Sequence, residues 1–478
     1  MKDNAARSTA RVLSATLLSI TLVGFPGSTP LRPETNKVDS PSVTPAGPRD
    51  EQKVIRGNPK NYLSLLRGLR PGDTLLLEAG TYDDPGDVPG LPIFDLNGEP
   101  DKWIVISGPE SGPRPVFLAR EDSNTVRIVN SSYIVVRNLE LDGRNVEVDA
   151  VKAQGVSHHI TVENLLIKNH GADQGNVGIS TKAPAWDWTI RGNIILGAGT
   201  GMYLGSSDGT APFVRGLIEY NLIVDTIGYN LQIKHQLPRP DIPGMPTSPG
   251  STTIRHNVFS KAHNGVVGRD ARPNVLVGHS PLAGPGVDDV YQIYGNLFYE
   301  NPSGEPLFQG EGNVTLYANV FFNDKGDAIW VQPHNAFPRM VRIFFNTIVA
   351  RYKGILVRGG SPRHQQKVIG NAVFASMPIL AVDQRDNLTG SFEAASRFLR
   401  HPTGLPGQLD FFPRPGMLSG KPIDTRSFQS FLEGDLDFNG NPRRANIRGA
   451  YGEEGENPGW LPKLEIKPRP TPTASPPK

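Results

Sequence analysis

Residues 314–357 read VTLYANVFFNDKGDAIWVQPHNAFPRMVRIFFNTIVARYKGILV and contain the pattern that decides the fold. An asparagine followed by a short apolar run occurs twice, at Asn319 (NVFF) and at Asn346 (NTIV). A β-rich stretch precedes each asparagine, and a glycine turn at Gly354 leads into a third apolar run. Three short strands and three turns in fewer than 30 residues are typical of one coil of a solenoid.

The same unit is repeated along most of the chain. Asparagine begins it at Asn138 (NLEL), Asn164 (NLLI), Asn193 (NIIL), Asn221 (NLIV), Asn257 (NVF), Asn296 (NLFY), Asn319, Asn346 and Asn371 (NAVF). The successive spacings are 26, 29, 28, 36, 39, 23, 27 and 25 residues. This repeat predicts an all-β right-handed parallel β-helix with about ten or more coils.

Elementary physical chemistry explains why such a unit must repeat. One coil cannot bury its own inward side chains, so neighbouring coils stack at the strand spacing of about 4.8 Å. Asparagine tolerates the left-handed backbone angles of a sharp turn, and stacked asparagine amides can hydrogen-bond from coil to coil. We therefore predict a structural role for the asparagines. A leucine-rich repeat would need L-x-x-L-x-L spacing, and a propeller would need longer, more regular blades.

Composition excludes several classes of protein and of site. The chain of 478 residues has 37% hydrophobic and 20% charged residues and a net charge of +2, which favours neither a membrane protein nor nucleic-acid binding as the main task. It contains no cysteine, which excludes disulfides, thiolate zinc sites and cysteine nucleophiles.

The first 52 residues predict export. Lys2, Arg7 and Arg11 precede an apolar run at residues 12–25 that is shorter than the roughly 20 residues needed to span a bilayer. We interpret residues 1–30 as a signal peptide and residues 31–52 as a Pro/Ser-rich linker. The protein is expected to be secreted, periplasmic or on the cell surface, without a transmembrane segment in the mature chain.

The remaining chain divides into three predicted parts. A short helix beginning near Tyr62 should cap a β-helix spanning residues 53–384. Residues 385–462 form an irregular C-terminal capping segment that packs on the end or side, and residues 463–478 are a disordered Pro-rich tail.

Two further segments carry a family resemblance. GDTLLLEAGTY (residues 72–82) resembles the opening coil, and DFNGNPRRANIRGAY (residues 437–451) the ending, of the bacterial right-handed β-helix superfamily. That superfamily includes pectate, alginate and chondroitin lyases, and the resemblance covers roughly residues 70–452. It implies the fold, and the fold hosts lyases, hydrolases, epimerases and binding proteins. Superfamily lyases often use Lys or Arg as the base, frequently with calcium.

Long spacings mark two inserts, at residues 235–251 and 269–289, which are expected to wall a groove because they belong to adjacent coils.

In the strand that follows the glycine turn, alternation places seven apolar residues inward: Val151, Ile179, Met202, Leu231, Val266, Ile329 and Ile355. The outward neighbours then form a cationic column with aromatic members, and the predicted substrate-binding residues are Lys182, Tyr203, Gln232, His235, Trp330 and Arg358.

This column suits an acidic polysaccharide, because cations attract carboxylates and aromatic faces stack on sugar rings. Lys234 is the predicted base of a β-elimination, with Arg269 beside it neutralising the uronic carboxylate. Calcium held by Asp270, Asp288 and Asp289 is a compositional option.

Two alternatives stay open. The first is a glycoside hydrolase that uses paired carboxylates such as Asp288 and Asp289. The second is a non-catalytic glycan-binding surface protein. The chain is expected to be a monomer in each case.

Overall fold

The computed structural model describes residues 53–83, 89–426, 428 and 430–470. The predicted signal peptide and linker, and residues 471–478 of the predicted tail, lie outside the described residues.

The chain forms the predicted right-handed parallel β-helix. Each coil contributes a strand to sheet A, then to sheet B, then to sheet C; the described residues place 15, 12 and 11 strands in them. Sheet A contains β1 (Val54–Gly57), β2 (Thr74–Leu77), β5 (Ile104–Ser107), β8 (Ser132–Arg137), β11 (Ser157–Glu163), β14 (Ala185–Trp186), β15 (Thr189–Arg191), β18 (Phe213–Val214), β19 (Leu217–Glu219), β22 (Ser251–Arg255), β25 (Val290–Tyr294), β28 (Val314–Tyr317), β31 (Val341–Phe344), β34 (Gln366–Ile369) and β37 (Asp383–Arg385). Sheet B contains β3 (Gly80–Tyr82), β6 (Pro115–Leu118), β9 (Glu140–Asp142), β12 (Leu166–Lys168), β16 (Ile194–Leu196), β20 (Leu222–Val224), β23 (Val258–Ser260), β26 (Leu297–Tyr299), β29 (Val320–Asn323), β32 (Thr347–Ala350), β35 (Ala372–Phe374) and β38 (Leu388–Gly390). Sheet C contains β4 (Leu91–Phe94), β7 (Val126–Val129), β10 (Val151–Gln154), β13 (Val177–Thr181), β17 (Thr200–Leu204), β21 (Leu231–Ile233), β24 (Val275–Val277), β27 (Phe308–Gly310), β30 (Ile329–Val331), β33 (Lys353–Val357) and β36 (Met377–Leu380).

A few elements lie outside the three sheets. They are α1 (Tyr62–Leu66), a 3-10 helix (Gly268–Asp270), α2 (Ala395–Phe398) and the antiparallel pair β39 (Leu399–His401) and β40 (Asp410–Pro413). The predicted N-terminal cap is confirmed in α1, whose Tyr62 and Leu66 join the main core. The Tyr62 hydroxyl donates a hydrogen bond to the Gly90 carbonyl at 2.8 Å, which ties the cap to the turn before sheet C. Neither α-helix among the described residues has the length and apolar run needed to cross a membrane.

The core follows the alternation expected for strands. The residues predicted to point inward from sheet C are buried, with one exception. Val266 is only half-buried, and the strand of its coil is β24, whose Val275 pairs with Leu231. The prediction was wrong there because the true strand, β24, lies inside the segment interpreted as an insert. The Gly-rich stretch at residues 265–270 lies before it in the loop that leads to sheet C.

The asparagine ladder is confirmed between sheets A and B. From Asn193 onward each side-chain amide donates to the side-chain oxygen of the next asparagine at 2.9 or 3.0 Å, through Asn221, Asn257, Asn296, Asn319, Asn346 and Asn371 to Asn387. The left-handed backbone conformation, however, belongs to these asparagines only at Asn138 and Asn164. In later coils the residue before the asparagine adopts it, as Ala318 does with φ of 50°.

The C-terminal segment packs along the side of the β-helix. Phe411 and Phe412 join a hydrophobic cluster with outward residues of sheet B such as Val320 and Phe322. The predicted boundary at 384/385 was too early, because β37 and β38 are β-helix strands and the asparagine ladder extends to Asn387. The outer face of sheet B is therefore covered from β20 to β35, whereas Leu196 of β16 is 37% exposed.

The predicted disorder of the tail is wrong for its first residues. Residues 463–470 are described, and Lys467 is 3% exposed. Its ammonium group donates to the carbonyls of Gly295 (2.8 Å) and Phe438 (2.6 Å), which fixes this part of the chain against the β-helix. Proline content alone did not reveal this anchor.

Candidate functional site

The outer face of sheet C presents one side chain per coil at a common register. Strand pairing aligns Lys152, Ser180, Tyr203, Gln232, Leu276, Gln309, Trp330 and Leu356. The predicted residues Tyr203, Gln232 and Trp330 thus share one face. Tyr203 and Gln232 are direct neighbours, whereas Trp330 lies three strands beyond Gln232.

A second outward row follows the ends of the same strands. Lys182 and Lys234 lie in this row on the two sides of Gly205, which follows Leu204 in the intervening strand. A side-chain carbon at Gly205 would lie 3.4 Å from the Cβ of Lys234, and one at Gly278 on the other flank would lie 2.3 Å from the backbone nitrogen of His235. Glycines therefore flank Lys234 on both neighbouring coils, where larger side chains would crowd it.

The two lysines converge on Tyr203. The Nζ atom of Lys182 lies 5.0 Å from the centroid of the Tyr203 ring, and that of Lys234 lies 5.6 Å away. Such distances allow cation–π attraction, worth about 0.5–2 kcal/mol each depending on exposure. The predicted residues Lys182, Tyr203 and Lys234 therefore form one cluster.

The electrostatic environment of Lys234 differs from that of a solvated lysine. Burial lowers the pKa of Lys234 below its ordinary value, and the Glu311 carboxylate opposes part of this shift. Burial also raises the pKa of the Tyr203 hydroxyl. A lysine whose ammonium form is destabilised gives up its proton at lower pH and can then act as a base.

Glu311 is a member of this site that sequence reasoning missed. It is 4% exposed and follows β27 in the same second row. Its Oε2 atom accepts backbone N–H groups of His334 (3.2 Å), Asn335 (2.5 Å) and Ala336 (3.4 Å). The available signal was its position directly after a sheet C strand, in the sequence Gly310-Glu311-Gly312.

His235 and His279 lie in successive coils beyond the second row. Burial, then the charges of Arg339 and His235, lower the pKa of His279 to about 4. The backbone N–H of Gln236 donates to the His279 carbonyl at 2.7 Å, so the loops after β21 and β24 are in contact. His279 was not predicted, because it lies inside the insert interpreted as one loop.

The remaining predicted binding residues lie farther along the axis. Trp330 is half-buried, and its indole N–H donates to Asp327 at 2.9 Å. Arg358 follows β33, is exposed and donates through Nε to Gln332 at 2.9 Å. Both belong to coils beyond that of Glu311, so they extend the polar and aromatic face along the axis.

Arg269 does not lie beside Lys234, which corrects the predicted pair. It belongs to the 3-10 helix in the loop that enters sheet C, whereas Lys234 follows the end of its strand. The side chain of Gln174, in an earlier loop on the entering side, donates to the Asp270 carbonyl at 2.9 Å, which places this loop at the entering edge of the sheet. Arg269 is exposed there, at the opposite end of the strands.

The compositional calcium candidate is also corrected. Asp270 lies in the entering loop, while Asp289 follows sheet C and accepts from Arg239 and from the Gly250 N–H. Among the described residues there is no group of three or more His, Asp or Glu side chains arranged to hold a metal ion. Asp289 instead joins the two loops, which confirms that the inserts at residues 235–251 and after β24 are neighbours.

Comparisons with known proteins give likenesses of fold. No family model and no curated protein matches the chain. Similar solved structures include pectate lyase Pel9A (13% identity, covering 87% of this chain and 96% of that chain, TM-score 0.46). Others are the GH136 lacto-N-biosidase from Eubacterium ramulus (12%, 71% and 68%, 0.38) and the PL6 family alginate lyase AlyGC (15%, 70% and 51%, 0.39).

Proposed function

We propose that the outer face of sheet C binds an acidic polysaccharide along the axis of the β-helix. Lys182 supplies positive charge, and Tyr203 and Trp330 supply aromatic faces for sugar rings. The C-terminal segment packs on outer residues of sheet B and, through Phe428, of sheet A. Its residues in these two clusters do not contact the outer row of sheet C, which supports sheet C as the face for a long ligand. Export to the cell exterior, where such polymers occur, fits the predicted signal peptide.

We infer that the reaction is β-elimination with Lys234 as the base. The observation that carries this proposal is the half-buried ammonium group of Lys234, with a lowered pKa, beside Tyr203 on the binding face. Neutral Lys234 takes the proton from the carbon that bears the uronic carboxylate. The electron pair forms a double bond to the adjacent carbon, and the glycosidic oxygen leaves with the bonding pair and takes up a proton.

Lys182 replaces Arg269 as the proposed cation for the substrate carboxylate. It lies on the other side of Gly205 and contacts the same Tyr203 ring. A positive charge there favours the transition state, in which negative charge accumulates on the carboxylate. Asp289, one half of the suggested hydrolase pair, is already ion-paired with Arg239.

The test follows the ultraviolet absorbance of the new double bond, which only elimination creates, on a panel of acidic polysaccharides with and without calcium. Lys234→Ala should lower turnover by about 100- to 10,000-fold, the usual contribution of a general base. Lys152→Ala is the matched control, because Lys152 lies on the same sheet but pairs with Asp149 at 3.2 Å. An absorbance rise that survives in Lys234→Ala would reject Lys234 as the base. A flat trace with release of reducing ends would indicate a hydrolase, and binding without either product a glycan-binding protein.

A further inference from the structure

The C-terminal segment lines an open surface cavity that shares no residue with sheet C. Its volume is about 910 Å³, and its walls come from residues 439–444, Glu453, residues 458–460 and residues 467–470. This volume lies at the upper end of the range of about 300–1,000 Å³ for small-molecule sites. It is large enough for a few sugar units, and none of the residues proposed for catalysis lines it.

The charges around this cavity are unbalanced. Arg444 and Arg469 are exposed cations on its walls, and Glu453 is a carboxylate there. Arg443 and Lys467 also line it, but both donate to backbone carbonyls, and burial lowers the pKa of each. Arg444 pairs with Glu453 at 2.8 Å, which neutralises one of the two exposed cations. Among the described residues, Arg469 contacts the Tyr220 ring at 5.1 Å and has no ion-pair partner. The remaining positive charge favours an anionic ligand.

One wall of the cavity is aromatic. The indole of half-buried Trp460 stacks on the Phe438 ring, with 6.1 Å between centroids and 29° between planes. Its N–H donates to Glu465 at 3.2 Å, which fixes the orientation of the ring. An indole face held in this way offers a flat apolar surface of the kind on which sugar rings stack.

The walls are held in place before any ligand arrives. Lys467 is anchored by two carbonyl groups, and its Nζ atom lies 3.6 Å from the centroid of Phe438. Gly440 has φ of 84°, and a side-chain carbon on it would lie 2.7 Å from the ring of Pro470. The close approach of these two segments therefore depends on glycine, and little ordering remains for the ligand to impose.

We propose that this cavity is a second carbohydrate site, which binds a short oligosaccharide carrying carboxylate or sulfate groups without acting on it. Arg444 and Arg469 supply the charge, and Trp460 supplies the stacking surface. The proposal uses residues distinct from the Lys234 cluster, so either can fail without the other.

The experiment is calorimetric titration of the full chain, in a Lys234→Ala background, with an oligogalacturonate tetramer, a sulfated heparin tetramer and neutral cellotetraose. At least one acidic tetramer should bind at this site, and removal of both Arg469 and Trp460 (R469Q with W460A) should weaken that event about tenfold or more, equivalent to about 1.4 kcal/mol. Tyr203→Ala should leave the same event intact. Arg469→Lys should retain binding, which separates loss of charge from loss of folding. Equal binding of cellotetraose, or unchanged binding in the double variant, would overturn the proposal.

Discussion

The side chain of Lys234 leaves sheet C between Gly205 and Gly278, and this local arrangement determines its chemistry. A long polar side chain normally reaches water, whereas this one is half-buried against Tyr203. Burial lowers the pKa of Lys234, and the Glu311 carboxylate, two coils away, opposes this shift. A change at Glu311 should therefore alter the pKa of Lys234.

We predict that Glu311→Gln shifts the pH dependence of the Lys234 reaction to lower pH. The carboxylate raises the pKa of Lys234, so its removal leaves more neutral lysine at a given pH. The measurement is the rate as a function of pH on the best polysaccharide. Glutamine keeps one oxygen for the N–H groups of residues 334–336, so the loop should survive. A midpoint that moves upward or stays in place would show that Glu311 acts only on the loop.

Sequence reasoning brought part of this cluster together on one face of sheet C and misplaced or missed other residues. Strand alternation was enough to find Lys182, Tyr203 and Lys234, because sheet C carries one outward residue per coil at fixed register. It could not place Arg269, since a loop of unknown path separates that residue from its strand. Glu311 was missed although it directly follows a sheet C strand, because nothing else in the sequence distinguishes it from an ordinary loop carboxylate.

At the scale of elements, the asparagine column binds the coils together. The Asn296 amide donates to the carbonyls of Ile254 and Tyr294 and to Asn319, and its oxygen accepts from the Asn257 backbone N–H. All of these groups are buried, so each needs its partner. The repeat made this column predictable, whereas the backbone angle depends on the preceding residue, which varies from Gly295 to Ala318 and Phe345.

We predict that Asn296→Ala lowers the free energy of unfolding by about 2–4 kcal/mol, since it leaves several buried groups without partners. Urea denaturation followed by far-ultraviolet circular dichroism measures the change. Asn335→Ala is the control, because the Asn335 side chain is exposed. Equal urea midpoints for the two variants would contradict a stabilising role for the asparagine ladder.

We predict that stability increases with pH above neutrality, and that Lys467→Met reduces this increase. Burial lowers the pKa of Lys467 to about 7 from its ordinary 10.5, so the unfolded chain binds more protons between these values. One such group contributes up to about 1.4 kcal/mol per pH unit. Facing it, His256 has a pKa of about 4 and that of Glu433 is lowered, so neither titrates in this range.

Urea midpoints between about pH 7 and 9.5 measure the slope of stability against pH. Lys261, also buried with a pKa lowered to about 7, should leave a residual slope in the variant. Lys463→Met is the control, since Lys463 is exposed. A wild-type slope in Lys467→Met would show that Lys467 is charged in the folded chain throughout this range.

At the scale of the whole molecule, the C-terminal segment makes the faces of the β-helix unequal, because it packs on the outer side of sheet B. It covers sheet B with Phe411, Phe412 and Tyr451 and anchors through Lys467 near Gly295. The coil number and axis were predictable from periodicity. The path of the returning chain was not, because residues 391–470 have no repeat and contact residues up to 211 positions away in the sequence.

We predict that a chain ending at residue 462 melts several degrees below one ending at residue 470. The shorter chain loses the hydrogen bonds of Lys467 and the packing of Leu464 and Ile466 against the sheet B cluster. Circular dichroism melting of both chains measures the difference. Equal melting temperatures would mean that the anchored residues add nothing to stability.

The described part of the C-terminal segment runs along the flank, and side chains of the final sheet C strand stay exposed beside it. Met377 and Leu380 of β36 are 42% and 40% exposed, and Val382 is fully open to solvent. An unpaired strand edge invites another chain to add to it, and charged side chains discourage this. Asp383 and Arg385 provide charged side chains on β37, whereas all side chains of β36 are apolar. The last strand of sheet C therefore exposes apolar side chains at its edge, and Pro378 within it, which has no backbone N–H to donate, is what opposes the addition of another strand.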